Sequence, residues 1–144
     1  MGDKVNLRWW EIDQIEKKQD LSEEIFKERD LTGVNFSRKN LKKAILTGCT
    51  LINANFSGSD LQFARLNAAN LKNANFQNAD LRGTNLRGSS LIGANFLGAN
   101  LRGTSFSGAR FDKTTQFPEL LQGSIDKYQS KYVNKHSDGT FTFL

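Results

Sequence analysis

Residues 51–80 read LINANFSGSD LQFARLNAAN LKNANFQNAD and carry a Leu or a Phe at every fifth position. The same beat extends in both directions, from Leu31 to Phe111, over seventeen consecutive positions, of which eleven are Leu and six are Phe. An α-helix repeats about every 3.6 residues and a β-strand every two, so neither element matches a period of five. The chain is therefore expected to turn once in each repeat.

The other positions of each repeat also have characteristic residue types. A small residue precedes the Leu or Phe by two positions, as Ala54 precedes Phe56, and residues two apart on an extended segment point to the same side. The small and large residues should face the interior, and the Asn or Asp between them should face out. The second residue after the Leu or Phe is Gly in nine repeats and Asn in three, and both types tolerate the positive φ of a type II turn. Each repeat is thus predicted to be a short strand and a corner.

A longer period of twenty residues predicts four corners per coil. Such spacing stacks identical residues on the same side of successive coils, and aromatic or aliphatic ladders of this kind form a core. The sequence therefore predicts an all-β solenoid of about four square coils over residues 29–115. The expected core consists of two columns, Phe36, Phe56, Phe76 and Phe96 in one and Leu41, Leu61, Leu81 and Leu101 in the other.

Residues 54–56, 69–71 and 79–81 read Ala-Asn-Phe, Ala-Asn-Leu and Ala-Asp-Leu. They resemble the A(D/N)LXX consensus of the pentapeptide-repeat family. The resemblance implies a right-handed quadrilateral β-helix, usually with helical end caps and often with a terminus that forms dimers. It implies little about function, since the motif consists of core and corner positions.

The N-terminal segment, residues 1–28, is predicted to be a helical cap. A helix is expected across roughly residues 6–19, and Trp9 and Trp10 are expected to cover the open end of the first coil. Residues 20–29 continue the five-residue beat faintly, so a degenerate half-coil and a second short helix both remain open. Lys39 occupies an inward position where a charge would be costly. The first coil should be open or distorted there, unless the lysine stem reaches outward to solvent.

The C-terminal segment, residues 116–144, is predicted to be a helix followed by a tail. Pro118 is a helix-start signal, and Leu121, Ile125 and Tyr128 share an apolar stripe that would cap the last coil. Dimerisation through the same helix is the alternative. The alternating residues 140–144 could pair with an exposed sheet edge or remain unpaired.

Nothing in the sequence predicts catalysis, a metal or a cofactor. His136 is the single histidine and lies in a polar tail, and Cys49, the single cysteine, occupies a small inward position. One cysteine without a disulfide framework, no long apolar run and no secretory signal together favour a cytoplasmic location. A bacterial origin is what the family resemblance implies.

Charge is the best functional indication in the sequence. Residues 31–111 contain ten Lys or Arg and only two acidic residues. The square register gathers an exposed aromatic and several basic residues on one side of the rod, and these are the candidate binding residues: Lys42, Lys43, Phe63, Arg65, Arg82, Arg87 and Arg102. A basic rim around an aromatic suits an acidic protein partner. The sequence therefore predicts a non-catalytic interaction or scaffolding module, although the same residues could serve only to keep the wall soluble.

Two other functions are weaker. Binding of nucleic acid or of another anionic surface would use the same basic face, but that face lacks a series of stacking aromatics. The family resemblance also raises protection of gyrase by a DNA-mimicking rod. That role needs a negatively charged surface, and the positive solenoid disfavours it.

Overall fold

The computed structural model describes residues 5–127 and 133–144. Its regular elements are few and short, because most of the solenoid consists of single-residue bridges and turns. The elements in chain order are β1 (Val5–Asn6), α1 (Trp9–Lys17), β2 (Arg29–Asp30), β3 (Arg110–Phe111), α2 (Glu119–Lys127), β4 (Val133–Lys135) and β5 (Phe141–Phe143).

Between Asp20 and Gln116 the chain winds as a four-sided solenoid. The outward residue of each repeat forms a parallel bridge with the residue twenty positions later, as Asn35 does with Asn55. Backbone hydrogen bonds also join successive coils. For example, the N–H of Leu61 donates to the carbonyl of Asp80 at 2.8 Å. Each coil therefore satisfies the backbone groups of the next coil.

The corners have the conformation that the Gly and Asn residues predict. From Leu31 to Phe106 the second residue after each inward Leu or Phe has positive φ, as at Gly93 with φ +72° and Asn73 with φ +58°. Some corners hold larger residues in the same conformation, among them Lys43 and Phe63.

The predicted columns lie in the interior. Phe36, Phe56, Phe76 and Phe96 are completely buried. The ring centroid of Phe76 lies 4.9 Å from the centroid of Phe56 and 4.9 Å from that of Phe96. Leu41, Leu61 and Leu81 are also completely buried. Leu101 is only partly buried, because it belongs to the last coil and no further coil covers it.

The solenoid begins earlier than the boundary predicted at residue 29. Asp20 bridges to Asn40 and Ile25 bridges to Ile45, while Leu21 and Phe26 are buried in line with the later core residues. Residues 20–29 thus form the half-coil rather than a second helix. With this addition the rod has about five turns from Asp20 to Gln116 instead of about four.

The break in the repeat after Phe111 is an inserted residue inside the last coil. Gln116 bridges to Asn95, one position later than the period of twenty would place it. Phe117 then stacks on Phe96 with ring centroids 5.6 Å apart and extends the Phe column. The solenoid therefore continues to Phe117, slightly beyond the predicted limit at residue 115.

The prediction that Trp9 and Trp10 cover the first coil is wrong. Trp9 is 77% exposed and Trp10 is also exposed, and the two rings contact each other edge to face. Instead Ile15 is buried, and Ile12 packs partly buried against the core. Because α1 is short and turns the face with Ile12 and Ile15 toward the core, the rings in its first turn are left in solvent.

Lys39 neither distorts the first coil nor reaches solvent. It is only 7% exposed, and its Nζ donates to the carbonyl oxygens of Glu16 at 2.6 Å and Lys18 at 2.9 Å. These carbonyls lie at the C-terminal end of α1, where backbone acceptors lack helical partners and a positive charge is favoured. The buried ammonium is thus satisfied by the docked helix.

At the other end, α2 and β5 lie on the last coil. Ile125 is buried and Leu121 partly buried, whereas Tyr128, the third predicted capping residue, lies outside the described residues. The alternating C-terminal residues form β5, which pairs antiparallel with β3 and has β4 on its other side. Of the two possibilities for this tail, the structure has the one in which it pairs with an exposed edge.

Candidate docking surface

The seven candidate binding residues are all exposed and lie along one side of the rod. Lys42, Arg82 and Arg102 form one column, with Gln62 between the first two, because they share a position in repeats spaced by twenty. Phe63 and Lys43 share the adjoining corner. Arg65 lies on the next face in the bridge column of Ile45, and Arg87 lies at the far corner of that face.

An acidic column runs beside the basic one and neutralises part of it. Arg82 makes two-pronged hydrogen bonds to the carboxylate of Asp80, with Nη2 at 2.6 Å from Oδ2 and Nε at 2.9 Å from Oδ1. Lys42 lies 3.4 Å from Asp60. The hydrogen bonds from Arg82 lower the pKa of Asp80 below its ordinary value of 3.8, although partial burial opposes them. Lys42 and Arg82 are thus less available to a partner than the sequence suggests.

Phe63 is held in a conformation that costs free energy. Its φ is +59°, in the left-handed region that bulky side chains rarely adopt. Its ring is 60% exposed and lies over the backbone of Gly83 in the next coil, where a Cβ would be only 2.6 Å from ring atoms. Residue 83 therefore has to be glycine for the ring of Phe63 to lie over its backbone.

A shallow groove runs along the neighbouring bridge column, which contains Arg65, two residues after Phe63 in the chain. It has a volume of about 570 Å³ and is lined by Ile25 and Ile45 together with Lys27 and Arg65. Ile25 is 62% exposed. Sequence reasoning missed Ile25 and Lys27, because it began the solenoid at residue 29. The five-residue repeat continues faintly through Leu21 and Phe26, but a second short helix remained possible there, and only the half-coil puts Ile25 in the outward column of Ile45.

We call this surface the Phe63 face and define it by Ile25, Lys27, Ile45, Phe63 and Arg65. It combines three exposed or half-exposed apolar side chains with two cations. Within the described residues no ion pair involves Lys27 or Arg65, unlike Lys42, Lys43 and Arg82. The surface can therefore offer both an apolar anchor and uncompensated positive charge.

The described part of the chain gives no support to a reaction centre. In residues 5–127 and 133–144 no group of three or more His, Cys, Asp or Glu side chains could hold a metal ion. His136 is exposed, and its Nε2 lies 2.6 Å from the hydroxyl of Thr142 in the β4–β5 hairpin. Cys49 is buried in the solenoid.

No described helix is long and apolar enough to cross a membrane.

Known proteins match this chain over most of its length. The family model described as pentapeptide repeats matches residues 25–62, 49–88 and 79–115, with eight copies. A solved pentapeptide repeat protein from the thylakoid lumen of Arabidopsis thaliana is 29% identical, with 79% of each chain covered and a TM-score of 0.73. No curated protein has a matching sequence.

Cyanobacterial structures are also similar. A pentapeptide repeat protein from Cyanothece is 41% identical, covering 63% of this chain and 65% of its own, with a TM-score of 0.43. HetL from Nostoc, which is involved in regulation of heterocyst differentiation, is 25% identical, covering 64% of this chain and 53% of its own, with a TM-score of 0.38. Because the Arabidopsis protein is from the thylakoid lumen, similarity to these proteins assigns no compartment to this chain. The matches imply that its four-sided solenoid is a right-handed quadrilateral β-helix, and the chain belongs to the pentapeptide repeat family.

Proposed function

We propose that this chain is a non-catalytic protein-binding module that docks an acidic partner through the Phe63 face. Proteins of the pentapeptide repeat family are generally structural or interaction modules. The proposal for this chain rests on its own surface, and one observation carries it. A large aromatic ring is kept exposed at a left-handed corner where nine other corners have glycine.

The exposed ring at a strained corner is the central argument. A non-glycine residue in the left-handed region costs roughly 1–2 kcal/mol, and the exposed ring recovers little of this by burial in the free protein. Backbone strain of this kind clusters at ligand-binding sites. Eight other non-glycine corners share this conformation, so Phe63 is distinguished by its large exposed ring. An aromatic residue rimmed by cations is also a common anchor at protein interfaces.

The charge distribution favours an acidic partner. Lys27 and Arg65 flank the apolar groove without an acidic neighbour in ion-pair contact among the described residues. The surface is less suited to nucleic acid, since three of the six basic candidates lie within ion-pair distance of carboxylates and Phe63 is a single aromatic rather than a row of stacking rings. We keep nucleic acid as an outcome of the test.

We also propose that α1 and the C-terminal α2 and β5 act as end caps. Open coil ends expose unpaired strand edges and apolar rings, which favour association of solenoids. Ile15 at one end and Ile125 and Phe143 at the other are buried against the core, as a cap requires.

The test compares the chain with Phe63→Gly and with Ala68→Gly as baits in capture from a lysate of the source organism. Both variants relieve a left-handed corner, since Ala68 has φ +57°, but only the first removes the ring. We expect a defined protein to be retained by wild type and Ala68→Gly, to survive nuclease, and to be lost by Phe63→Gly.

The charge is tested separately with Arg65→Glu, which should lose the same protein because it reverses an exposed cation. Retention of that protein by both Phe63→Gly and Arg65→Glu would contradict docking at this face. Capture that disappears on nuclease treatment would replace the acidic protein with nucleic acid.

A further inference from the structure

The last coil of the solenoid is incompletely covered at one corner. Leu101, Thr104 and Phe106 are partly exposed there. Their equivalents one coil below are completely buried: Leu81, Thr84 and Leu86. The corner opens into a cleft of about 660 Å³, with Pro118, Leu120 and Leu121 at the start of α2 on its other wall. We call this space the terminal cleft.

Within the described residues, backbone donors at the same corner also lack partners. In the coil below, the N–H of Leu81 donates to Asn100 at 2.9 Å and the N–H of Gly83 donates to Arg102 at 3.1 Å. The corresponding N–H groups of Leu101, Gly103 and Phe106 have no acceptor among the described residues. Such a row of free donors beside an apolar cleft is a template for another strand.

The chain closes the adjoining corner by adding a strand. The N–H of Gly108 donates to the carbonyl of Phe143 at 2.8 Å, and the N–H of Phe143 donates to Ala109 at 3.0 Å. The buried ring of Phe143 lies 5.0 Å from the ring of Phe106. The covered corner of the last coil is therefore closed by an added strand that inserts an aromatic side chain.

We propose that the terminal cleft is a second docking site, which takes one extended peptide strand of a partner protein. The main-chain carbonyls of the strand accept hydrogen bonds from Leu101 and Gly103, and one Leu or Phe side chain enters the cleft between Leu101 and Leu121. Main-chain pairing supplies affinity in this mode and the side-chain cleft supplies specificity. The site continues the edge that β5 has begun to cover, and it does not depend on the Phe63 face.

The probe is a synthetic peptide with the sequence of residues 79–86, ADLRGTNL, which is the segment that lies against this corner from the coil below. Its control is ADDRGTNL, in which the inward Leu is replaced by Asp. Amide hydrogen exchange by NMR on the full chain reports directly on Leu101, Gly103 and Phe106. These amides should exchange rapidly in the free protein and about tenfold or more slowly with the peptide, but not with its control.

A variant at the cleft separates this site from the first. Leu120 is 89% exposed, so Leu120→Glu should fold normally and weaken peptide binding by about tenfold. Phe63→Gly should leave peptide binding unchanged. The two docking sites are therefore tested independently. If the Phe63 face fails as a docking site, peptide binding at the terminal cleft is not affected, and if the terminal cleft fails, docking at the Phe63 face is not affected.

Two outcomes would overturn the proposal. One is that the three amides still exchange rapidly at saturating peptide. The other is that they are protected without peptide. If the amides are protected without peptide and light scattering gives a molar mass twice that of the chain, the edge is occupied by a second copy of the chain instead of a partner's strand.

Discussion

The Nζ of Lys39 donates a 2.6 Å hydrogen bond to the carbonyl oxygen of Glu16, across twenty-three positions of the sequence. Through this contact a lysine that stands in an inward position, where most repeats have Ala, joins the first coils of the solenoid to α1. The cation is buried, yet it is satisfied by two backbone acceptors at the end of the helix.

Lys39→Ala should destabilise the protein although Ala is the common residue at this position. The change removes two hydrogen bonds to a charged donor and leaves helix-end carbonyls without partners, at a cost of about 1–3 kcal/mol. Urea unfolding measures the loss, with the exposed Lys72→Ala as a control that should change stability by less than about 0.5 kcal/mol. Equal stability of the two variants would show that the contact with α1 contributes nothing.

Phe76→Ala should open a cavity in the middle of the Phe column. The ring is completely buried and stacked between two others at 4.9 Å, so the solenoid can close the gap only by moving whole coils. We expect a loss of about 3–5 kcal/mol in the free energy of unfolding. Thermal unfolding with almost no change in midpoint would contradict the stacked register.

Gly83→Ala and Gly88→Ala form a matched pair that isolates the contact with Phe63. Both glycines have left-handed φ, +69° and +65°, so each substitution should cost roughly 1–2 kcal/mol of backbone strain. Only at Gly83 would the new Cβ meet the ring of Phe63, since nothing lies within 4 Å at Gly88. Gly83→Ala should therefore lose more stability than Gly88→Ala in chemical denaturation, and it should also weaken binding of the partner.

The double variant Phe63→Gly/Gly83→Ala is the control for that comparison. Without the ring, the cost of Gly83→Ala should fall to that of Gly88→Ala. A cost that stays the same would mean that the ring can move aside freely, and the rigid placement of Phe63 would be wrong.

Asp80→Asn should change the dependence of stability on pH and also the affinity for an acidic partner. The hydrogen bonds from Arg82 lower the pKa of Asp80 in the folded state, so its contribution to stability is present above the ordinary value of 3.8 and disappears as pH falls through the lower folded value. Wild type should therefore exceed Asp80→Asn in stability near neutral pH, and this difference should vanish in acid. Unfolding free energies measured from pH 7 to pH 2 check the sign.

The same variant should bind the partner more tightly, because Arg82 would be released from its carboxylate. Asn keeps the hydrogen bond to the backbone N–H of residue 82, as Asn100 does for Arg102 at 3.2 Å, so the turn itself is preserved. Unchanged binding by Asp80→Asn would show that the partner does not use this column.

The candidate site was predictable only in part. The twenty-residue period correctly placed Lys42, Arg82 and Arg102 on one side of the solenoid, because their outward direction follows from their position in the repeat. The pairing of Arg82 with Asp80 depends on the rotamers of two side chains that share no periodic signal. The exposure of Ile25 depends on where the solenoid begins, and the beat there has lost its small residues and glycines.

The sequence by itself determined the square solenoid, its buried columns and its left-handed corners. It could do so because every repeat specifies inside, outside and turn within five residues, and identical repeats stack without further information. Only the tertiary structure decided what the non-repeating ends do: Trp9 is left in solvent, Lys39 is bound by α1, and β5 covers one corner of the last coil but leaves its neighbour open. These contacts join segments that occur once in the chain, and no local pattern records which segment lies against which coil.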